Sequence, residues 1–116
     1  MMRISETLFK KYISEREGKE IIENDLGFII YKITQQECFI ADMHVVSRSR
    51  RKGIGNSLFN QLYDLAKESK CKVITANIHL EDKNASNTLA ASLKWGFKVQ
   101  SCGHNILLII KEIQED

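Results

Sequence analysis

Apolar residues recur along this chain with two periods, and the places where the period changes divide it into elements. Behind Ser5, a residue able to cap a helix start, Leu8, Phe9, Tyr12 and Ile13 fall on one helical stripe, which the polar SEREGKE and its Gly18 bring to an end. Three apolar, β-branched segments follow, about Glu20 to Glu23, Phe28 to Ile33 and Cys38 to Val46, parted by the turn-rich NDLG and the polar TQQE. Connections this short predict an antiparallel meander.

From Ile54 the period is helical. Ile54, Leu58, Leu62, Leu65 and Ala66 share one face, while Asn60, Gln61, Asp64, Lys67 and Glu68 occupy the other. CKVITANIHL then reads as a buried strand, and EDKNASN offers capping side chains ahead of a second apolar stripe at Leu89, Ala90 and Leu93. Gly96 closes that helix, and FKVQS and NILLIIKEI read as two strands joined across Cys102 to His104. The predicted order is helix, three strands, helix, strand, helix, two strands: a mixed α/β (α+β) domain with a mostly antiparallel sheet and flanking helices.

Nothing in the chain resembles a linker, so its 116 residues are expected to form one domain, 1–116, burying roughly two-thirds of its unfolded surface. The net charge of +2 is too near balance for general nucleic-acid or membrane binding, which leaves local basic clusters as the informative ones. Apolar runs such as Ile106 to Ile110 fall far short of the roughly 20 residues that cross a bilayer. The N-terminus has no secretory apolar core, and three scattered cysteines leave an odd thiol in any pairing, so a reducing, cytoplasmic setting is expected.

One local cluster stands out. Arg48, Arg50, Arg51 and Lys52 precede Gly53, Ile54, Gly55 and Asn56, the start of the long amphipathic helix. The first turn of a helix leaves about four N–H groups without intrahelical partners and carries roughly half a positive charge, so charge and amides converge there on an anion site. The two glycines allow close approach of a phosphate to the backbone. The spacing matches neither a P-loop nor a dinucleotide fingerprint. RSRRK also resembles a nucleic-acid patch, but it lacks interleaved aromatics and a second basic stripe, which argues against nucleic acid as a partner.

What the cluster does match is R-x-x-G-x-G at Arg50, Gly53 and Gly55, set between a strand and a helix. Here the chain resembles the GNAT (GCN5-related) family of acyl-CoA N-acyltransferases. MHVVSRSRRKGIGNSLF is similar to that family's strand, loop and helix start, and NASNTLAASLKWGF to its second signature, an asparagine-led helix ending in Gly-Phe. Together they cover about half the chain, Cys38 to Phe97. The resemblance implies an acetyl-CoA cosubstrate, with Val45 and Val46 pairing through their backbone with its pantetheine arm. Arg50, Arg51, Lys52, Gly53, Ile54, Gly55 and Asn56 would form the pyrophosphate turn, and Asn84 and Asn87 would lie near the arm. It further implies direct acetyl transfer to a primary amine, on a protein or peptide lysine or a small molecule.

Such transfer needs a base to free the amine lone pair and a donor for the carbonyl oxyanion, the latter available from the strand amide near Val45. Asp42, His44, His79 and Glu81 are the candidate bases. The family often places a tyrosine, as acid for the departing thiolate, four residues before the Gly of Gly-Phe; this chain has Ser92 there. That departure keeps open a non-catalytic acyl-CoA-binding or protein-interaction module.

The front of the chain is also short for the family, which implies a reduced early helix and an open acceptor groove. The apolar ILLII is a candidate homodimer contact, with burial under a helix as the equal alternative. No metal-ligand spacing occurs among the histidines and cysteines, the cysteines read as small core residues, and Trp95 reads as packing.

Overall fold

The computed structural model describes residues 18–24, 26–45 and 53–114. Along them run β1 (Glu20–Asn24), β2 (Gly27–Thr34), β3 (Glu37–Val45), α1 (Ile54–Glu68), β4 (Val73–His79), α2 (Ala85–Lys94), β5 (Lys98–Gly103) and β6 (Ile106–Glu112). These match the elements read from periodicity. The helix expected at Ser5 to Ile13 lies outside the described residues, as do Val46, Arg50, Arg51 and Lys52.

All six strands join one sheet in the order β1-β2-β3-β4-β6-β5. It is built from two antiparallel halves, β1-β2-β3 and β4-β6-β5, each assembled from hairpins or near neighbours. The halves meet where β3 runs parallel to β4, and α1 supplies the long crossover that a parallel pair demands. Strand alternation sends Ile29, Tyr31, Cys38, Ile74, Ile78 and Ile109 to one face, where they pack with Leu58, Phe59, Leu62 and Ala66 of α1. Ala85 and Leu89 of α2 join the same cluster, so both helices cover this face. Ile21 and Ile30, with Phe28 and Ala41, form a small second cluster on the opposite face.

Turn chemistry fixes the register of the hairpins. Gln35 and Gln36 (φ 29° and 73°) make a two-residue turn between β2 and β3. The connection expected at Cys102 to His104 is instead His104 and Asn105 (φ 53° and 63°), while Cys102 and Gly103 remain in β5. Two positive φ angles match the twist of the flanking strands, which a wider loop would not. ILLII lies in β6, which is paired on both sides, by β4 and β5, so any contact with a second chain would have to use its face rather than its edge.

Both helices end in paired 5→2 and 6→1 hydrogen bonds. In α2 the left-handed residue is Gly96 (φ 94°), with Phe97 N–H donating to the Ser92 carbonyl at 3.0 Å. In α1 it is Lys70 (φ 67°), with Cys71 N–H donating to the Ala66 carbonyl at 2.9 Å.

Candidate functional site: the parted ends of β3 and β4

β3 and β4 pair only from Glu37 opposite Val73 to Ile40 opposite Ala76. Beyond that point β3 bulges, since Tyr31 faces Ile40 but Ile30 faces Asp42, leaving Ala41 as the extra residue. A bulge bends the strand that carries it, and here it coincides with the end of the ladder to β4. At the other end the seam is tied shut: Thr75 Oγ1 donates to Glu37 Oε2 at 2.5 Å and Lys72 N–H to the Gln36 carbonyl at 2.6 Å.

The extra residue also shifts the side-chain phase. Cys38 and Ile40 point toward the helices before the bulge and Met43 does so after it. Asp42 and His44 are thereby sent to the other face, where the His44 ring lies 5.8 Å from that of Phe28.

The N-terminus of α1 faces the gap. Gly53, in the left-handed region at φ 83°, is its N-cap, and a Cβ there would meet nothing within 4 Å. The first helical bond runs from Ser57 N–H to the Gly53 carbonyl at 3.0 Å, so the N–H groups from Gly53 to Asn56 have no intrahelical acceptor. Gly53 has no side chain with which to cap the turn and no acidic residue sits in it, so the helix's own residues leave its partial positive charge uncompensated. A cleft of about 1770 Å³ joins these parts. Asp42 and His44 line it from β3, Gly53, Gly55 and Asn56 from α1, and Asn84 and Asn87 from the start of α2.

The local sequence explains why the Asn84 side chain is available. As N-cap of α2 it makes no side-chain capping bond; Asp82 Oδ1 accepts the Asn84 N–H at 2.9 Å instead. Other predicted residues go elsewhere. His79 and Glu81 are exposed and do not line the cleft. Ser92 is buried, and its Oγ donates to the Thr88 carbonyl within α2. Val45 ends β3, and Ile54 opens α1.

Three cleft residues, Trp95, Tyr63 and Lys111, carry no strong sequence signal for this role. Trp95, read as packing, stacks on Phe59 but also lines the cleft and donates its indole N–H to Asn56. Tyr63 lines it too, its hydroxyl accepting Gln114 N–H at 3.0 Å, with Lys111 Nζ 5.4 Å from its ring centroid. For Trp95 the available clue is that a half-buried indole N–H, which can only donate, favours an acceptor beside it.

The thiols stay out of the chemistry. Burial, reinforced by Cys71 and Glu37, pushes Cys38 up to about 12, and burial also raises Cys71. Cys102 is exposed on β5, contrary to its reading as a core residue. Among the described residues no group of three or more His, Cys, Asp or Glu side chains could hold a metal, and no described helix is long and apolar enough to cross a membrane.

A family model described as "Acetyltransferase (GNAT) family" matches residues 7–97. The chain belongs to the GNAT acetyltransferase family. GNAT proteins also dominate its structural likenesses. PaiA N-acetyltransferase of Thermoplasma acidophilum, solved in complex with coenzyme A, superposes with a TM-score of 0.74 at 19% identity, covering 92% of this chain and 70% of that one. Ribosomal-protein-S18-alanine N-acetyltransferase of Escherichia coli gives 0.70 at 14%, covering 96% and 78%. The anti-CRISPR protein AcrVA5 gives 0.65 at 21%, covering 78% of this chain and 96% of that short one. A search of curated proteins finds no significant match. Acetyl transfer is thus the chemistry of this chain's family, and a mixed sheet flanked by helices is the fold it shares with GNAT structures.

Proposed function

We propose that the chain is an N-acetyltransferase that binds acetyl-CoA across the parted ends of β3 and β4 and passes the acetyl group directly to a primary amine. The observation carrying this reading is that the gap opens onto a helix N-terminus whose N-cap is a left-handed glycine with open space around it and whose first turn holds no acidic residue. A diphosphate suits that end, receiving N–H groups from Gly53 to Asn56 and charge from Arg50, Arg51 and Lys52. The arm then runs along the free end of β3, and Asn84 and Asn87 supply amides from the facing helix.

On the acceptor side, Asp42 and His44 stand on the cleft wall next to the Phe28 ring. One of them takes the proton released as the amine nitrogen bonds to the thioester carbonyl carbon; the C–S bond breaks and the thiolate leaves with a proton from solvent. The Val45 amide is the proposed oxyanion donor. His79 and Glu81, outside the cleft lining, are weaker candidates, and Ser92 is too committed to its own helix to serve as the acid. An amino group on a protein suits the open cleft, and the fold likeness to an enzyme acting on a ribosomal protein is consistent with such an acceptor.

The buried Ser92 favours one alternative, a module that holds acyl-CoA without turnover. Calorimetry with acetyl-CoA, followed by a thiol-release assay across polyamines, amino acids, antibiotics and lysine peptides, separates the two. Binding with thiol release supports the enzyme, binding alone supports the module, and no binding refutes both.

A further inference from the structure

The Trp95 indole N–H donates to Asn56 Oδ1, joining the C-cap residue of α2 to the third residue of α1. Trp95 is held firmly for this contact. Its N–H donates to the Ala91 and Ser92 carbonyls at the C-cap, Gly96 follows at φ 94°, and its ring stacks on Phe59 with centroids 4.8 Å apart and planes 5° apart. Gly55 makes room for it: a Cβ there would already touch Trp95 Cζ2 at 3.6 Å.

An indole nitrogen can only donate, so it dictates which end of the Asn56 amide faces it. Oδ1 must point at Trp95, and the two Nδ2 hydrogens must point the other way. The restriction matters because asparagine oxygen readily accepts from unpaired N–H groups at a helix start, the groups that would otherwise receive an anion. We propose that Trp95 is a positioning residue for the diphosphate turn: it withholds the Asn56 oxygen from the first turn of α1 and presents the Asn56 amide hydrogens to the ligand. This inference rests on the acetyl-CoA reading above.

The test uses the full chain, calorimetry with coenzyme A, and pantetheine, which lacks the diphosphate, as the control ligand. Trp95→Phe keeps the ring stack but removes the donor, and coenzyme A is expected to bind roughly fivefold more weakly, the scale of one neutral hydrogen bond. Pantetheine affinity stays unchanged. Trp95→Phe adds nothing further in an Asn56→Ala background, because the two residues act through one contact. Should Trp95→Phe misfold, the wild-type chain still reports: its single tryptophan gives one indole N–H resonance, whose chemical shift is expected to move upfield in Asn56→Ala as the hydrogen bond is lost. Equal coenzyme A affinity in Trp95→Phe, an equal loss for pantetheine, additive losses in the double variant, or an indole N–H shift that Asn56→Ala leaves unmoved overturns the proposal. If wild type binds no coenzyme A, the cofactor reading itself falls and takes this inference with it, an outcome distinct from the others.

Discussion

Ser92 Oγ donates to the Thr88 carbonyl oxygen at 2.8 Å, one turn back in α2, and Ser92 is only 5% exposed. The hydroxyl at the place where relatives often carry an acidic phenol is therefore used inside its own helix. Ser92→Ala is expected to leave the thiol-release rate within about twofold of wild type and to change stability by about 1 kcal/mol or less. A tenfold fall in kcat would return Ser92 to the catalytic machinery.

Asp42 and His44 are the proposed bases, reached through the bulge at Ala41. Replacing the residue that does the work, by Asp42→Asn or His44→Gln, should lower kcat by about a hundredfold or more and flatten the rise of kcat/KM with pH. The other substitution should leave that rise in place. If neither variant alters the pH profile, the proton leaves by another route.

Gly53 and Gly55 fail for different reasons when given side chains. At Gly53 there is open space but a left-handed backbone, so Gly53→Ala is expected to cost about 1 kcal/mol through the backbone alone. At Gly55 a Cβ would lie 3.5 Å from Met43 Cε, and Gly55→Leu must push Met43 or Trp95 aside. Calorimetry should find coenzyme A affinity reduced by about tenfold or more in Gly55→Leu, with circular dichroism nearly unchanged. Retained affinity would move the diphosphate site elsewhere.

Lys70 occupies a left-handed position that glycine fills without strain. Lys70→Gly should raise stability by about 0.5 to 1 kcal/mol in urea titration, because the Cys71 to Ala66 and Lys70 to Lys67 hydrogen bonds are kept and the strain on a side-chain-bearing residue is relieved. Destabilisation would mean that the Lys70 side chain contributes more than its backbone costs.

Cys38 gives the alkaline limb of stability. Its thiol titrates near 9.0 when unfolded and is pushed up to about 12 by burial in the fold, so ionisation favours unfolding. The contribution is complete below about pH 9 and declines as pH rises toward 12, at about 1.4 kcal/mol per pH unit at most. Urea midpoints at pH 8 and 10.5 should show this decline, reduced in Cys38→Ala. Rapid labelling in native conditions should modify Cys102 alone.

The long helix α1 is legible because its apolar stripe is regular and its start is marked by glycines, and the β1-β2-β3 meander and the β5-β6 hairpin follow from short connections, whereas the parallel β3 to β4 pairing and the place of β6 beside β4 do not. The bulge is not: no glycine or proline marks Ala41, yet it decides which way Asp42 and His44 face. Strict alternation from Cys38 would turn both toward the helices. Trp95 is ambiguous in another way, because an aromatic before Gly-Phe packs equally well whether or not its N–H reaches across to α1. His79 and Glu81 illustrate the converse, polar residues near the right strand end whose placement leaves them in solvent.

Among the described residues only four register pairs join β3 to β4, the seam between the two halves of the sheet, and they close a loop that contains all of α1. Beyond Ile40 and Ala76 the tips of β3 and β4 are unlaced. A molecule lying between those tips acts as stitching, so occupancy should slow amide exchange in β3 and β4 far more than along β1 or β5.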